Sequence, residues 1–70
     1  MERKKVSSFH IRSIGYDAKD QVLEIEFSSG TITQYSRVSS EIHRRLMAST
    51  SMKSFIEDNI LDSFSEKRLR

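Results

Sequence analysis

An α+β fold, with a three-stranded antiparallel β-meander followed by two short α-helices packed on one face, is predicted by three features of this chain. Leu23, Ile25 and Phe27 alternate with Glu24 and Glu26, the pattern of a strand with one buried and one wet face. Ser28-Ser29-Gly30 closes that run with a hairpin connection, and Gly30 is free to take positive φ. After Val38 the apolar residues change from strand spacing to helical spacing. The order is therefore β-β-β-α-α.

The first strand is expected over Ser8 to Tyr16. Phe9 and Ile11 share one face, and His10 and Arg12 the other. Ile14 is out of phase with them, and Gly15 beside it suggests a bulge that resets the phase. Asp17 to Asp20 form a polar turn, with Asp17 suited to cap it. The second strand spans Gln21 to Ser28. The third, Thr31 to Val38, is rich in β-branched residues but alternates poorly.

Ser39 or Ser40 is placed to cap the first helix, with Glu41 in its first turn. Ile42, Leu46 and Met47 fall on one side, away from Arg44 and Arg45. Ala48 to Ser51 form a break, and Thr50 or Ser51 caps the second helix. Its stripe is Met52, Phe55, Ile56, Asn59, Ile60 and Phe64, with one polar gap. A lone three-stranded sheet needs a cover. Leu23, Ile25 and Phe27 are expected to pack against Leu46, Phe55, Ile56 and Ile60.

Seventy residues make one domain. We place it at 6–64, with 1–5 and 65–70 as basic, flexible ends. So short a chain is marginally stable, which points to a monomer or a weak homodimer. There is no cysteine, no apolar run long enough to span a bilayer and no apolar segment after the basic start. The expectation is a cytoplasmic protein without membrane contact. The net charge is +2, yet Val6 to Glu66 hold six basic and nine acidic residues, a net of −3. The positive balance lies at the ends, whereas a dedicated nucleic-acid binder carries a basic face on its folded body.

Six residues are candidates for contact with a nucleic acid or a protein partner. An exposed strand aromatic can stack on a base, which makes Tyr35 and Tyr16 candidates. Packing with a hydrogen-bonded hydroxyl is the stronger expectation for Tyr35. Arg12, Arg37, Arg44 and Arg45 can meet phosphate, with salt-dependent binding. Arg12 and Arg37 can also lie across from Glu24 and Glu26 as weak surface pairs. Two mid-sheet carboxylates argue against RNA on that face. His10 and His43 read as surface histidines, too few for a metal site. No nucleophile turn or phosphate-binding loop is present, so no catalytic residue, metal or cofactor is assigned.

The segments Ser13–Asp17 (SIGYD), Leu23–Gly30 (LEIEFSSG) and Thr33–Val38 (TQYSRV), followed by EIHRRLM and SMKSFIEDNI, resemble the KTSC domain family over about Ser8 to Phe64. That family includes small stand-alone bacterial and phage proteins and the C-terminal domain of some lysyl-tRNA synthetases, and RNA binding has been suggested for it. Its third strand often holds Tyr-x-Tyr, where this chain has Thr33-Gln34-Tyr35. Lys53 stands where many relatives have glycine. The resemblance keeps a tRNA- or single-stranded-RNA-binding module as the alternative to the leading expectation, a non-enzymatic module for a protein partner or an accessory role. A small hydrolase-like enzyme ranks far behind both.

Overall fold

The structure is a computed structural model and describes residues 3–6, 8, 10–61 and 63–70. It is an α+β domain with five strands in one antiparallel sheet rather than three. They are β1 (Arg3–Lys5), β2 (Ile11–Asp17), β3 (Val22–Phe27), β4 (Ile32–Tyr35) and β5 (Glu66–Arg68). Helices α1 (Ser40–Ala48) and α2 (Met52–Asn59) lie between β4 and β5 in sequence. The strand order is β1-β2-β3-β4-β5, so the three-stranded meander is the centre of a wider one. The segments read as basic ends supply its two outer strands.

The register shows which side chains share a face. Ile14 pairs with Ile25, and Tyr16 with Leu23. Leu23 pairs with Tyr35, and Ile25 with Thr33. This face carries the core. Ile11, Ile14, Leu23, Ile25, Tyr35 and Val38 cluster there with Leu46 of α1, Ile56 of α2 and Ile60. Phe27 and Phe55 pack against that cluster. Burying each large apolar side chain contributes roughly 1.5–3 kcal/mol before ordering costs.

The phase reset in β2 exists, but it lies ahead of Gly15. Ile11 pairs with Phe27 and Ser13 with Glu26, so the register shifts between Ile11 and Ser13. The extra residue there turns both Ile11 and Ile14 to the core. Gly15 is an ordinary paired strand residue opposite Glu24. Phe9, expected beside Ile11, lies outside the described residues.

The local turn chemistry follows the sequence. Asp17 Oδ1 accepts from the Lys19 and Asp20 amides at 3.0 and 3.3 Å. Gly30 has φ 97°. Ser39 caps α1 by accepting from the Ile42 amide, and Ser51 caps α2 by accepting from the Ser54 amide. β4 ends three residues before the expected Val38. There the Ser36 amide donates to Ser65 O, and Arg37 takes φ 62°. The chain turns, and the Val38 amide donates to Gln21 O at 2.8 Å.

Candidate functional site

The sheet face opposite the helices is occupied by a polar network. Glu24 Oε1 accepts from Gln34 Nε2 at 3.0 Å, and its Oε2 meets Arg3 Nη1 at 3.4 Å. Glu26 Oε1 accepts from Ser13 Oγ at 2.9 Å, and its Oε2 meets Arg12 Nη1 at 3.7 Å. Each carboxylate therefore has both oxygens engaged by neighbouring strands, and each side chain is only 13% exposed. Arg12 was expected to pair here; Arg37 was expected too, but Arg3 takes that place. Among the described residues, a face so filled offers no stacking surface and no free cation row for a phosphate backbone.

The six candidate residues do not form one site. Tyr35 is 1% exposed in the core, so it is packing and not a platform. Burial and the neighbouring Glu66 carboxylate push its phenol well above the ordinary tyrosine range. Arg12 is exposed at the β2 bulge, where Nη2 donates to Ser28 O at 3.3 Å. Arg37 is exposed in the turn beyond β4, at the opposite end of the sheet. Arg44 and Arg45 are exposed on α1 and share Glu41 Oε1 at 3.9 and 3.4 Å.

Tyr16 leads to a feature that sequence reasoning missed. Its hydroxyl donates to Val38 O at 2.5 Å, which ties β2 to the segment entering α1. Its ring stacks on the imidazole of His43, with centroids 4.5 Å apart and planes 7° from parallel. His43 is thus a half-buried partner of an aromatic ring, not a surface histidine. The two residues are 27 positions apart, and no local pattern joins them. Together with Arg3, Lys4, Ile14 and Met47 they line an open cleft of about 510 Å³ between β1 and α1. Ile14 and Met47 give it an apolar floor, and Lys4, the register partner of Ile14, stands on the same side. The lining residues include two cations and no carboxylate.

Burial and the nearby Lys4 ammonium lower the His43 pKa. Asp17 lies next to Tyr16, and Glu41, Arg44 and Arg45 flank His43 on α1. The unfolded chain therefore binds a proton at His43 more readily than the folded one. This contribution to stability is present above about pH 6.5 and is lost as pH falls through the lower folded-state value. We expect the urea midpoint to fall over that range, and the fall to shrink in His43→Gln. An equal fall in both proteins would assign the loss to other groups.

The outer strands frame the sheet with cations. β1 is Arg3-Lys4-Lys5 and contains no carboxylate, while β5 begins with Glu66 before Lys67 and Arg68. Lys4 and Lys5 are exposed and make no ion pair among the described residues. Each outer strand pairs on one side only, which leaves backbone donors and acceptors open along its other side. No three residues of the His, Cys, Asp or Glu types gather as a metal site among the described residues. Nor is any helix among them long and apolar enough to cross a membrane.

A five-stranded antiparallel sheet, helices on one face and a basic cleft beside an open edge define a small α+β domain of the single-layer-sheet type. The family model of the KTSC domain matches residues 7–64, and the chain belongs to that family. It is similar to an uncharacterized protein of Stutzerimonas stutzeri (strain A1501), 40% identical over 52 residues, which covers 74% of this chain and 73% of that protein. It also resembles the crystal structure of a KTSC domain protein from Yersinia pestis. The TM-score is 0.92 with 34% identity, covering 99% of this chain and 97% of that one.

Proposed function

We propose that this chain is a non-enzymatic, cytoplasmic binding module that recognises a partner protein by taking an acidic extended segment onto the β1 edge. The observation that supports this reading is the run Arg3-Lys4-Lys5 on an outer strand, with Lys4 and Lys5 exposed and without ion pairs among the described residues. Added strands gain main-chain hydrogen bonds from an open edge and specificity from alternate side chains. The basic side chains favour an acidic segment and disfavour a second copy of this strand. β5 is the weaker candidate because Glu66 lies within it.

A fluorescent Glu/Asp-rich peptide and a single-stranded RNA of similar charge test this by anisotropy. The peptide is expected to bind the wild-type protein, and Lys4→Glu with Lys5→Glu is expected to weaken it at least about tenfold, or ~1.4 kcal/mol. Equal binding by the charge-reversed protein would overturn the edge assignment. RNA binding is the second reading, favoured by the exposed Lys4 and Lys5 of β1, which make no ion pair among the described residues. It predicts tighter capture of RNA than of peptide, with a steep loss on added salt.

A further inference from the structure

The pairing register of β1 sets which way each of its side chains points, and so what an added strand meets there. Lys4 pairs with Ile14 and stands on the helix side, whereas Arg3 and Lys5 pair with Gly15 and Ser13 and stand on the carboxylate side. Gly15 has no side chain, so the Arg3 guanidinium crosses it to reach Glu24, the next residue in that row, at 3.4 Å. Arg3 is therefore engaged. Lys4 and Lys5 make no ion pair among the described residues and are left for a partner, one on each side of the sheet. The two sides differ in what else they offer. On the helix side Lys4 borders the cleft of about 510 Å³, with Ile14, Met47 and the stacked rings of Tyr16 and His43 around it. Tyr16, His43 and Met47 are half-buried, so aromatic and apolar surface stays accessible there. The Tyr16 ring is fixed by its bond to Val38 O, and the flexible Met47 thioether adapts to a ring packed on it.

We propose that the partner segment reads, from its N-terminus, acidic, acidic, any residue, aromatic, with the aromatic side chain seated in the cleft; this rests on the reading of β1 as the recognition edge. Every strand pair of the sheet is antiparallel, and a segment added antiparallel to β1 continues that order. Side chains in one row across a sheet share a face. The residue opposite Lys4 therefore lies on the helix side, where its carboxylate meets the Lys4 ammonium. The residue before it lies opposite Lys5 on the other face, where a second carboxylate is matched. Two residues after the partner of Lys4, the segment returns to the helix side in the row of Tyr16. An added strand lies about 4.8 Å outside β1. A large ring at that position leans over β1 onto the Tyr16–His43 stack and Met47. An aromatic side chain buries ~150–250 Å² when enclosed. A carboxylate at the same position would meet apolar surface, so acidity alone does not define the partner.

Three short fluorescent peptides with neutral flanks test this by anisotropy on the full chain: Glu-Glu-Thr-Trp, the same peptide with alanine for tryptophan, and the reversed order Trp-Thr-Glu-Glu. The first is expected to bind about tenfold tighter than the other two. Met47→Gln keeps the length of the side chain but makes the cleft wall polar. It is expected to lose most of that gain while binding the alanine peptide as the wild type does. In NMR spectra the Met47 methyl and the His43 ring protons are expected to shift with the tryptophan peptide and to stay in place with the alanine peptide. Equal binding of the tryptophan and alanine peptides, with both weakened by Lys4→Glu and Lys5→Glu, would overturn the seated ring and leave the edge reading standing. Equal binding of the reversed peptide would overturn the antiparallel register, and an undiminished gain in Met47→Gln would overturn the place of the ring. Binding of no peptide at all would overturn the edge reading and this inference with it.

Discussion

Tyr35→Ala is expected to bring the chain to the margin of unfolding at room temperature. The residue is 1% exposed, pairs with Leu23 and belongs to the central cluster. Truncating a buried aromatic costs about 3–5 kcal/mol, because transfer energy is lost and a cavity remains. A domain of this size has about 5 kcal/mol or somewhat more in total. Tyr35→Phe keeps the ring and is expected to cost about 0.5–1.5 kcal/mol, the net worth of a hydroxyl hydrogen bond. Thermal or urea unfolding by circular dichroism measures both. A cooperative transition in Tyr35→Ala within about 1 kcal/mol of wild type would show that the ring is not a core element. Loss of ligand binding in such a variant would report loss of the fold, not loss of a stacking platform.

Tyr16 is expected to separate into two contributions. Tyr16→Phe keeps the stack on His43 and removes only the bond to Val38 O, leaving that carbonyl short of a partner. The expected cost is about 1–3 kcal/mol. Tyr16→Ala removes the ring as well and is expected to cost about 3 kcal/mol or more, at the lower end for an aromatic because the residue is half-buried. In Tyr16→Ala the His43 ring protons should lose the ring-current shift of a partner 4.5 Å away. In Tyr16→Phe they should keep it. Identical His43 shifts in the two variants would contradict the stacking. The Tyr16 phenol is raised by burial and by Asp17. Its neutral form is thus favoured by folding, and that stability is present below about pH 10 and lost as pH rises through the higher folded-state value.

The central sheet was legible because its signals are local. Leu23, Ile25 and Phe27 alternate, Gly30 supplies the positive φ, and Ser39 and Ser51 cap the helices. The bulge was legible too, from the spacing of Ile11 and Ile14, although glycine drew attention to the wrong residue. The outer strands were not. Arg3–Lys5 and Glu66–Arg68 are three residues each, charged and without apolar alternation, so they look like solvated tails. What makes them strands is pairing with Ser13–Gly15 and Thr33–Tyr35, which is a non-local contact. The same reason hid the site. Arg3 reaches Glu24 only because β1 lies beside β2, and His43 reaches Tyr16 only because α1 folds over the sheet. Of the six residues singled out beforehand, Tyr16 alone lines the cleft.

The burial of Tyr35 and the filled carboxylate network direct attention away from the sheet face and toward its β1 margin. There the open edge, the cations and the cleft are continuous. Amide hydrogen exchange of the isotope-labelled protein, with and without an acidic peptide, tests edge recognition most directly. The account predicts slowed exchange at Arg3–Lys5, with nuclear Overhauser contacts between those residues and the peptide backbone. Protection elsewhere with β1 unchanged, or binding without any new protection, would contradict it.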